Sequence, residues 1–360
     1  MKKFVCYLCF AISFLTYAQN EKNIYLGTYT DGKSEGIYQL PFNQETGELG
    51  TIKLVAKVEN PSFLAYSPDK KYVYAVSETN NFQGENSGFI SAFKVLTNGS
   101  LQFLNKVSSE GAHPCHISID VTGKKAVVSN YTGGTVALFP ILTDGSLGSA
   151  NQVFNHNTKT ETSHAHSAQF LNDELYVADL GRNAVFEYKE VENNYQLVTN
   201  SIVTMEPNSG PRHFVISKNG AFMHIINEYA NTVTSAVNTT NTFKLLAHTS
   251  TLDAIFKGES FCADIHLSND ENFLYGSNRG ENSIVVFKRD KTTGNIKKIQ
   301  SISVEGNWPR NFTLSPNEKY LLVANQKSKN ISVFKKHHTT GKLTFVQSVA
   351  TPTPVYLLFN

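Results

Sequence analysis

The chain has 360 residues, 40% of them hydrophobic and only 17% charged, with 24 Phe and 16 Tyr but a single Trp and three Met. That apolar content supports a sizeable core and excludes a disordered chain. The formal net charge is +2, and without Lys2 and Lys3, which fall in a segment expected to be removed, 30 cations face 30 acids; a basic binder of nucleic acid or of anionic lipid is thereby excluded.

First in the chain come Met1-Lys2-Lys3, an apolar run over residues 4–15, and Thr16-Tyr17-Ala18-Gln19-Asn20. A short positive start, a hydrophobic stretch below the roughly 20 residues of a membrane span, and a small residue at the cut describe a secretion signal over residues 1–18. An N-terminal anchor is the alternative. The mature product, residues 19–360, is expected to be a single exported domain, periplasmic or extracellular, with no further membrane span. Cys6 and Cys9 go with the signal, leaving Cys115 and Cys262, too few for a disulfide framework and at no zinc spacing.

Strands are predicted at 23–28, 36–41 and 52–58, and from there one pattern recurs. A Pro-like anchor opens an alternating strand, a polar turn follows, a second apolar strand ends in Asn or Ser, and a third ends in Phe. The openings are Pro61-Ser62-Phe63, Pro114-Cys115-His116, His164-Ala165-His166, Pro211-Arg212-His213, Cys262-Ala263-Asp264, Pro309-Arg310-Asn311 and Pro354-Val355-Tyr356. Seven units of about 49 residues fill what remains behind Ala18. In the unit opened by Pro114 the strands are predicted at 115–119, 125–129, 135–141 and 147–154, with turns at Asp120-Val121-Thr122-Gly123 and Thr143-Asp144-Gly145. Four strands at this period predict an all-β, seven-bladed β-propeller with antiparallel blades, each too small to bury its faces alone. The last opening has an innermost strand with nothing after it, and the N-terminal unit lacks one, so the C-terminal strand is expected to close the ring in the first blade.

Strand direction places two columns at one mouth of the central channel. The anchor column reads Phe63, His116, His166, His213, Asp264, Asn311 and Tyr356, with His113, His164, Arg212 and Arg310 beside it. The second column reads Tyr29, Glu78, Asn130 with Tyr131, Asp179, Asn227 with Glu228, Asn278 with Arg279, and Asn325 with Gln326. Such a concavity suits a polar ligand. Each His alone also fits a loop-fixing hydrogen bond, and Asn or Asp at a strand end also fits a turn cap. Glu228, Arg212 and Arg279 differ, because charges at a crowded mouth are costly unless they meet each other or an anionic ligand.

Taken in order, these pieces resemble the lactonase family of seven-bladed propellers, which holds bacterial 6-phosphogluconolactonases and fungal carboxy-cis,cis-muconate cyclases. The resemblance covers the whole mature chain. It is carried by Tyr25-Leu26-Gly27-Thr28-Tyr29-Thr30, Glu35-Gly36-Ile37-Tyr38, Asn60-Pro61-Ser62, His113-Pro114-Cys115-His116 and Ser163-His164-Ala165-His166. It continues through Gly210-Pro211-Arg212-His213, Asn227-Glu228-Tyr229, Ser277-Asn278-Arg279-Gly280 and Trp308-Pro309-Arg310-Asn311-Phe312. What it implies is a lactonase with His164, Arg212, Glu228 and Arg279 as the catalytic group. His116, His166, His213, Arg310, Tyr29 and Asn278 are the expected substrate contacts.

The residue types fit that chemistry. Opening a lactone needs a water activated by a base, for which His164 and Glu228 are the candidates, and a cation where the carbonyl oxygen gains charge. Arg212 and Arg279 suit the oxyanion or a substrate carboxylate or phosphate. No Ser-His-Asp nucleophile motif stands out, which argues against a covalent acyl-enzyme. The expected partner is a small anionic or sugar lactone, unphosphorylated if the protein is exported, and no cofactor is expected. Two alternatives stay open: a non-catalytic propeller that binds an acidic sugar or a protein, and a hydrolase assisted by a divalent metal held by His116, His164, His166 and His213.

Overall fold

The computed structural model describes residues 21–240 and 242–360; the secretion signal read over residues 1–18 lies outside them. Seven antiparallel sheets follow one another around a ring. Blade 1 runs outward through Pro354–Phe359, Glu21–Thr28, Gly36–Asn43 and Lys53–Lys57. The innermost strands of blades 2 to 7 are Pro61–Tyr66, Pro114–Ile119, Ala165–Leu171, Pro211–Ile216, Phe261–Leu267 and Pro309–Leu314. The outer strand of blade 4 is broken into Asn194–Leu197 and Val203–Thr204, both paired to the same neighbour. No α-helix occurs among the described residues, none therefore being long and apolar enough to cross a membrane.

Blades cohere through their faces. Seven apolar clusters are buried, one at each blade-to-blade interface. The cluster between blades 1 and 7 joins Ile24, Leu26, Tyr38, Leu40 and Phe42 to Tyr320, Leu322, Ala324, Ile331 and Val333, each large apolar side chain worth about 1.5–3 kcal/mol when fully buried. Polar latches repeat the same logic. Tyr25, Tyr74 and Tyr275 each donate their hydroxyl to a turn carbonyl of the next blade, at Gly99, Gly145 and Gly341. Buried Arg289 donates Nε–H to His224 Nε2 across the interface of blades 6 and 5 at 2.9 Å. The turns between first and second strands are built as expected, with Ser67, Ser217, Ser268 and Ser315 each donating to the Asp or Asn two residues on.

The ring closes as the sequence predicts. Tyr25, Leu26 and Gly27 pair with Leu358, Leu357 and Tyr356, and Leu357 N–H donates to Asn311 Oδ1 at 2.9 Å from blade 7. Gly27 is needed at this junction, because a Cβ there would stand 2.4 Å from the Pro61 carbonyl oxygen. One outer strand differs from expectation: in blade 3 it runs Gln152–Asn155, not from residue 147. The reason is that Asn105 of blade 2 takes both main-chain groups of Leu147, Nδ2 donating to its carbonyl and Oδ1 accepting its N–H, so Leu147 is spent between blades.

Deleting residues 355–360 strips blade 1 of its innermost strand and bares the edge of Glu21–Thr28; the expected product is insoluble or melts without a cooperative transition. Leu357→Ala should cost about 2–4 kcal/mol in a denaturant titration. A soluble truncation with a single sharp melt would contradict this closure.

Candidate active site

The mouth depends on a feature that alternation does not reveal. In every blade the innermost strand carries one extra residue against its neighbour, beginning where the chain enters from the mouth. Pro114 pairs with Asn130 and His116 with Ser129, leaving Cys115 bulged; Pro211 pairs with Asn227 and His213 with Ile226, leaving Arg212 bulged. Two tiers result. Ser62, Cys115, His166, Arg212, Ala263, Arg310 and Val355 form the upper one, and Phe63, His116, Ser167, His213, Asp264, Asn311 and Tyr356 the lower. Such bulges re-aim side chains.

This register corrects one expected column. Ala165 pairs with Asp179 and Ser167 with Ala178, so the anchor of blade 4 is Ala165, and His166 belongs with Arg212 and Arg310, not with His116 and His213. Asn278 is placed behind the mouth. It is fully buried inside blade 6, where Nδ2 lies 2.9 Å from Ser283 Oγ, 3.1 Å from Glu281 Oε2 and 3.4 Å from the Thr251 carbonyl oxygen, so in this structure it staples the end of its strand. Asn130 and Asn325 do the same in their own blades. At or just past the end of the second strand, Tyr29, Glu78, Tyr131, Glu228 and Arg279 face the mouth, where their side chains meet Arg310, His164, Arg212 or one another.

Glu228 ties the site together. Its Oε2 lies 3.0 Å from Arg212 Nε and 2.8 Å from Arg279 Nη2. The Arg212 Nε–H is not aimed along that contact and makes no hydrogen bond among the described residues, so this contact is one of charge more than of hydrogen bonding. Arg212 is 2% exposed, its Nη1 donating to the Ala263 carbonyl and lying 3.4 Å from His213 Nε2. Arg279 donates to the carbonyls of Phe261 and Cys262 and lies over the Trp308 ring at 5.3 Å. Burial, then the nearby Arg279, pushes the Arg212 guanidinium down to about 10, with Glu228 opposing. Across the mouth Arg310 lies 5.2 Å over the Tyr29 ring, with Nη2 3.4 Å from Glu78 Oε2, which also accepts the Tyr29 hydroxyl at 2.8 Å. Three guanidinium groups thus meet two carboxylates, and the mouth carries an unmatched positive charge.

His164 stands on the rim between blades 3 and 4, half-buried, its ring stacked on Tyr131 at 4.5 Å. Nδ1 lies 2.9 Å from the Tyr131 carbonyl oxygen, which can only accept, so Nδ1 carries the proton and Nε2 of the neutral ring keeps its lone pair. Burial, and after it the nearby Tyr229 and Glu228, raise the Tyr131 pKa above its ordinary value. Asp179 holds the His164 loop: it accepts His164 N–H at 2.9 Å and Arg182 N–H at 3.0 Å, the Ser163 hydroxyl at 2.5 Å and His156 Nδ1–H at 2.9 Å. Burial works against that carboxylate's charge, yet the His156 and Ser163 hydrogen bonds hold its pKa below the ordinary value. Sequence pattern alone gives Asp179 no more than a turn-cap role, and it assigns no role to Tyr131, Trp308 or Lys327.

Beneath, the lower tier seals the channel. Phe63 packs on Tyr356 at 3.9 Å and on His116 at 4.3 Å, and His213 meets His116 and His166 edge to face at 5.7 and 5.2 Å. Only a void of about 10 Å³ is left between the tiers. His116 and His213 therefore form the floor of the mouth. His213 donates Nδ1–H to Asp264 at 2.8 Å, and Asp264 also accepts from Asn311 and His266. A larger cavity of about 510 Å³ opens below this plug, on the opposite face, and no arginine lines it. Among the described residues no three His, Cys, Asp or Glu side chains converge at metal-ligand spacing. Cys115 and Cys262 are both buried free thiols.

A family model described as Lactonase, 7-bladed beta-propeller, matches residues 23–359. A 6-phosphogluconolactonase of Formosa agariphila is 37% identical over 307 residues, covering 81% of this chain and 86% of that protein. A 6-phosphogluconolactonase of Bacillus subtilis is 32% identical over 298 residues, covering 80% and 83%. The solved structure of a periplasmic gluconolactonase of Pseudomonas aeruginosa superposes with a TM-score of 0.89 at 31% identity, covering 94% of this chain and 99% of that one.

Burial holds His116 and His166 neutral well below their ordinary value, and lowers His213 to about 4 and His224 to about 3. The unfolded chain protonates these groups below about pH 6.5, so the stability they provide is complete above that pH and is lost as pH falls toward 4. His266 opposes: burial acts to lower its pKa, but Asp264 raises it above the ordinary imidazole value, so its contribution is largest below about pH 6.5. Four groups outweigh one. The melting temperature should fall between about pH 7 and pH 5 in buffers of equal ionic strength; a flat or rising profile would contradict these assignments.

Proposed function

The chain belongs to the lactonase family of seven-bladed β-propellers, and we propose that it opens a small sugar or acidic lactone by direct attack of water at the arginine-lined mouth. The observation that carries this reading is the fixed tautomer of His164, whose Nδ1 is committed to the Tyr131 carbonyl while Nε2 makes no hydrogen bond among the described residues. Glu228 is the weaker candidate for the base, because one of its oxygens already faces two guanidinium groups.

In this mechanism His164 Nε2 takes a proton from water as the water oxygen bonds to the lactone carbonyl carbon. The carbonyl oxygen gains the negative charge and is met by Arg212 and Arg279, which main-chain carbonyls and Glu228 hold in place before substrate arrives. Collapse of the tetrahedral intermediate breaks the bond to the ring oxygen, which recovers the proton from the His164 imidazolium. The product is a hydroxy acid, and no group of the protein is covalently modified. Arg310 adds positive charge from blade 7 for an anionic substrate.

The composition of residues 1–18 and the periplasmic location of the Pseudomonas gluconolactonase support export, and with it a substrate met outside the cytoplasm. Gluconolactone, its 6-phosphate and a muconolactone form the assay panel, run with and without chelator. His164→Ala should lower kcat about 10²- to 10⁴-fold. Glu228→Gln should lower both activity and stability, the latter by about 3–5 kcal/mol, because it leaves two buried guanidinium groups without their counter-charge. Equal rates for wild type and both variants on every lactone would contradict the reading, and activity lost only with chelator would favour the metal-assisted alternative.

A further inference from the structure

Around the ring, His164 stands at blade 4, Arg212 and Glu228 at blade 5, and Arg279 at blade 6. The next sector holds a group that the hydrolytic chemistry does not use. Trp308, the only tryptophan of the chain, immediately precedes the blade 7 anchor. Its backbone is at φ +67, a left-handed conformation that a bulky side chain adopts at a cost. The indole lies over the Arg279 guanidinium at 5.3 Å, and Lys327 Nζ stands 3.2 Å from the ring centroid. Phe261 of blade 6 continues the apolar surface at 6.2 Å.

Two further details distinguish this sector. Lys327 is exposed and makes no ion pair among the described residues, its contact being the indole face. Gln326, beside it, has a buried Oε1 with no hydrogen-bond partner among the described residues, and a buried acceptor left unpaired costs about 1–3 kcal/mol. An aromatic face, a free acceptor and a free cation are complementary to the C–H face, a hydroxyl and an anionic substituent of a polyhydroxylated ring.

We infer that Trp308, Gln326 and Lys327 form a specificity subsite that receives the end of the substrate remote from the lactone carbonyl, with Lys327 selecting lactones that carry a phosphate or carboxylate there. The inference rests on the hydrolytic reading for the orientation of the substrate: a carbonyl held between His164 and Arg212 points the far end of a short chain past Arg279 to blade 7. Lys327 is then a specificity determinant that touches the substituent and not the reacting carbon. Moving Lys327 off the indole onto the anion also makes Trp308 a built-in optical reporter.

Two measurements on the purified mature protein test this. The first is the ratio of kcat/KM for 6-phosphogluconolactone, and for a carboxylate-bearing muconolactone, to that for neutral gluconolactone. Lys327→Gln should lower at least one ratio about fivefold or more, the scale of a single charge-assisted contact, and Lys327→Arg should restore it. The ratio that falls identifies the substituent. The second is Trp308 emission during titration with 6-phosphogluconate and with gluconate, which requires no turnover. Wild type should bind at least one anion with a change in emission, and Lys327→Gln should weaken that binding. Ratios and binding unaltered by Lys327→Gln would overturn the subsite. A wild type that hydrolyses no lactone but binds the phosphate ester through Lys327 would support the subsite while removing the hydrolytic function.

Discussion

One extra residue in the innermost strand of each blade sets everything that happens at the mouth. Without the bulge, strict alternation would turn Arg212 and Arg310 into the faces between blades, where seven apolar clusters already fill the space. With it, these side chains turn to the channel and the next residue in each strand builds the floor. Ring closure and the bulges act together. The C-terminal strand supplies Val355 and Tyr356 to the same two tiers, so the chain's end completes both the sheet and the plug.

Electrostatics then gives the mouth its chemistry. Arg212 and Arg279 are 2% and 5% exposed, and such charges persist only because Glu228 and main-chain carbonyls compensate them. Holding them costs stability but, in the proposed hydrolysis, leaves donors already oriented toward developing negative charge, with no reorganisation required on the substrate's arrival. The same burial keeps His116, His166 and His213 neutral. The three guanidinium groups of Arg212, Arg279 and Arg310 are gathered at the mouth, and no arginine lines the cavity on the opposite face.

The repeat is legible in the sequence because seven anchors, the Ser-x-Asx turns and an orphan C-terminal strand all agree on one architecture. His164, Arg212, Glu228 and Arg279 stand out because they lie at the start of a first strand or the end of a second, where the ring crowds polar side chains together. A charge there is stable only beside an opposite charge or an anionic ligand. The bulge is not legible: an inserted residue shows only once its pairing partner is known. Where Pro marks the anchor, as at Pro114, Pro211 and Pro309, sequence and structure agree on the register. Blade 4 has Ala165 in that place, flanked by two histidines, and there the expected column is off by one residue. Asn278 is turned into its blade while Arg279 is turned to the mouth, since a strand-end Asn and the residue after it face opposite ways. Asp179 is hidden because its role is exerted through the main chain of His164.

The most direct test of where the chemistry takes place is a crystal structure of the mature protein with an aldonate product bound. The product is expected in the arginine-lined mouth, with its carboxylate within hydrogen-bond distance of Arg212 or Arg279 and its far end at Trp308. Product held instead in the cavity of about 510 Å³ on the opposite face, with the mouth unoccupied, would contradict it.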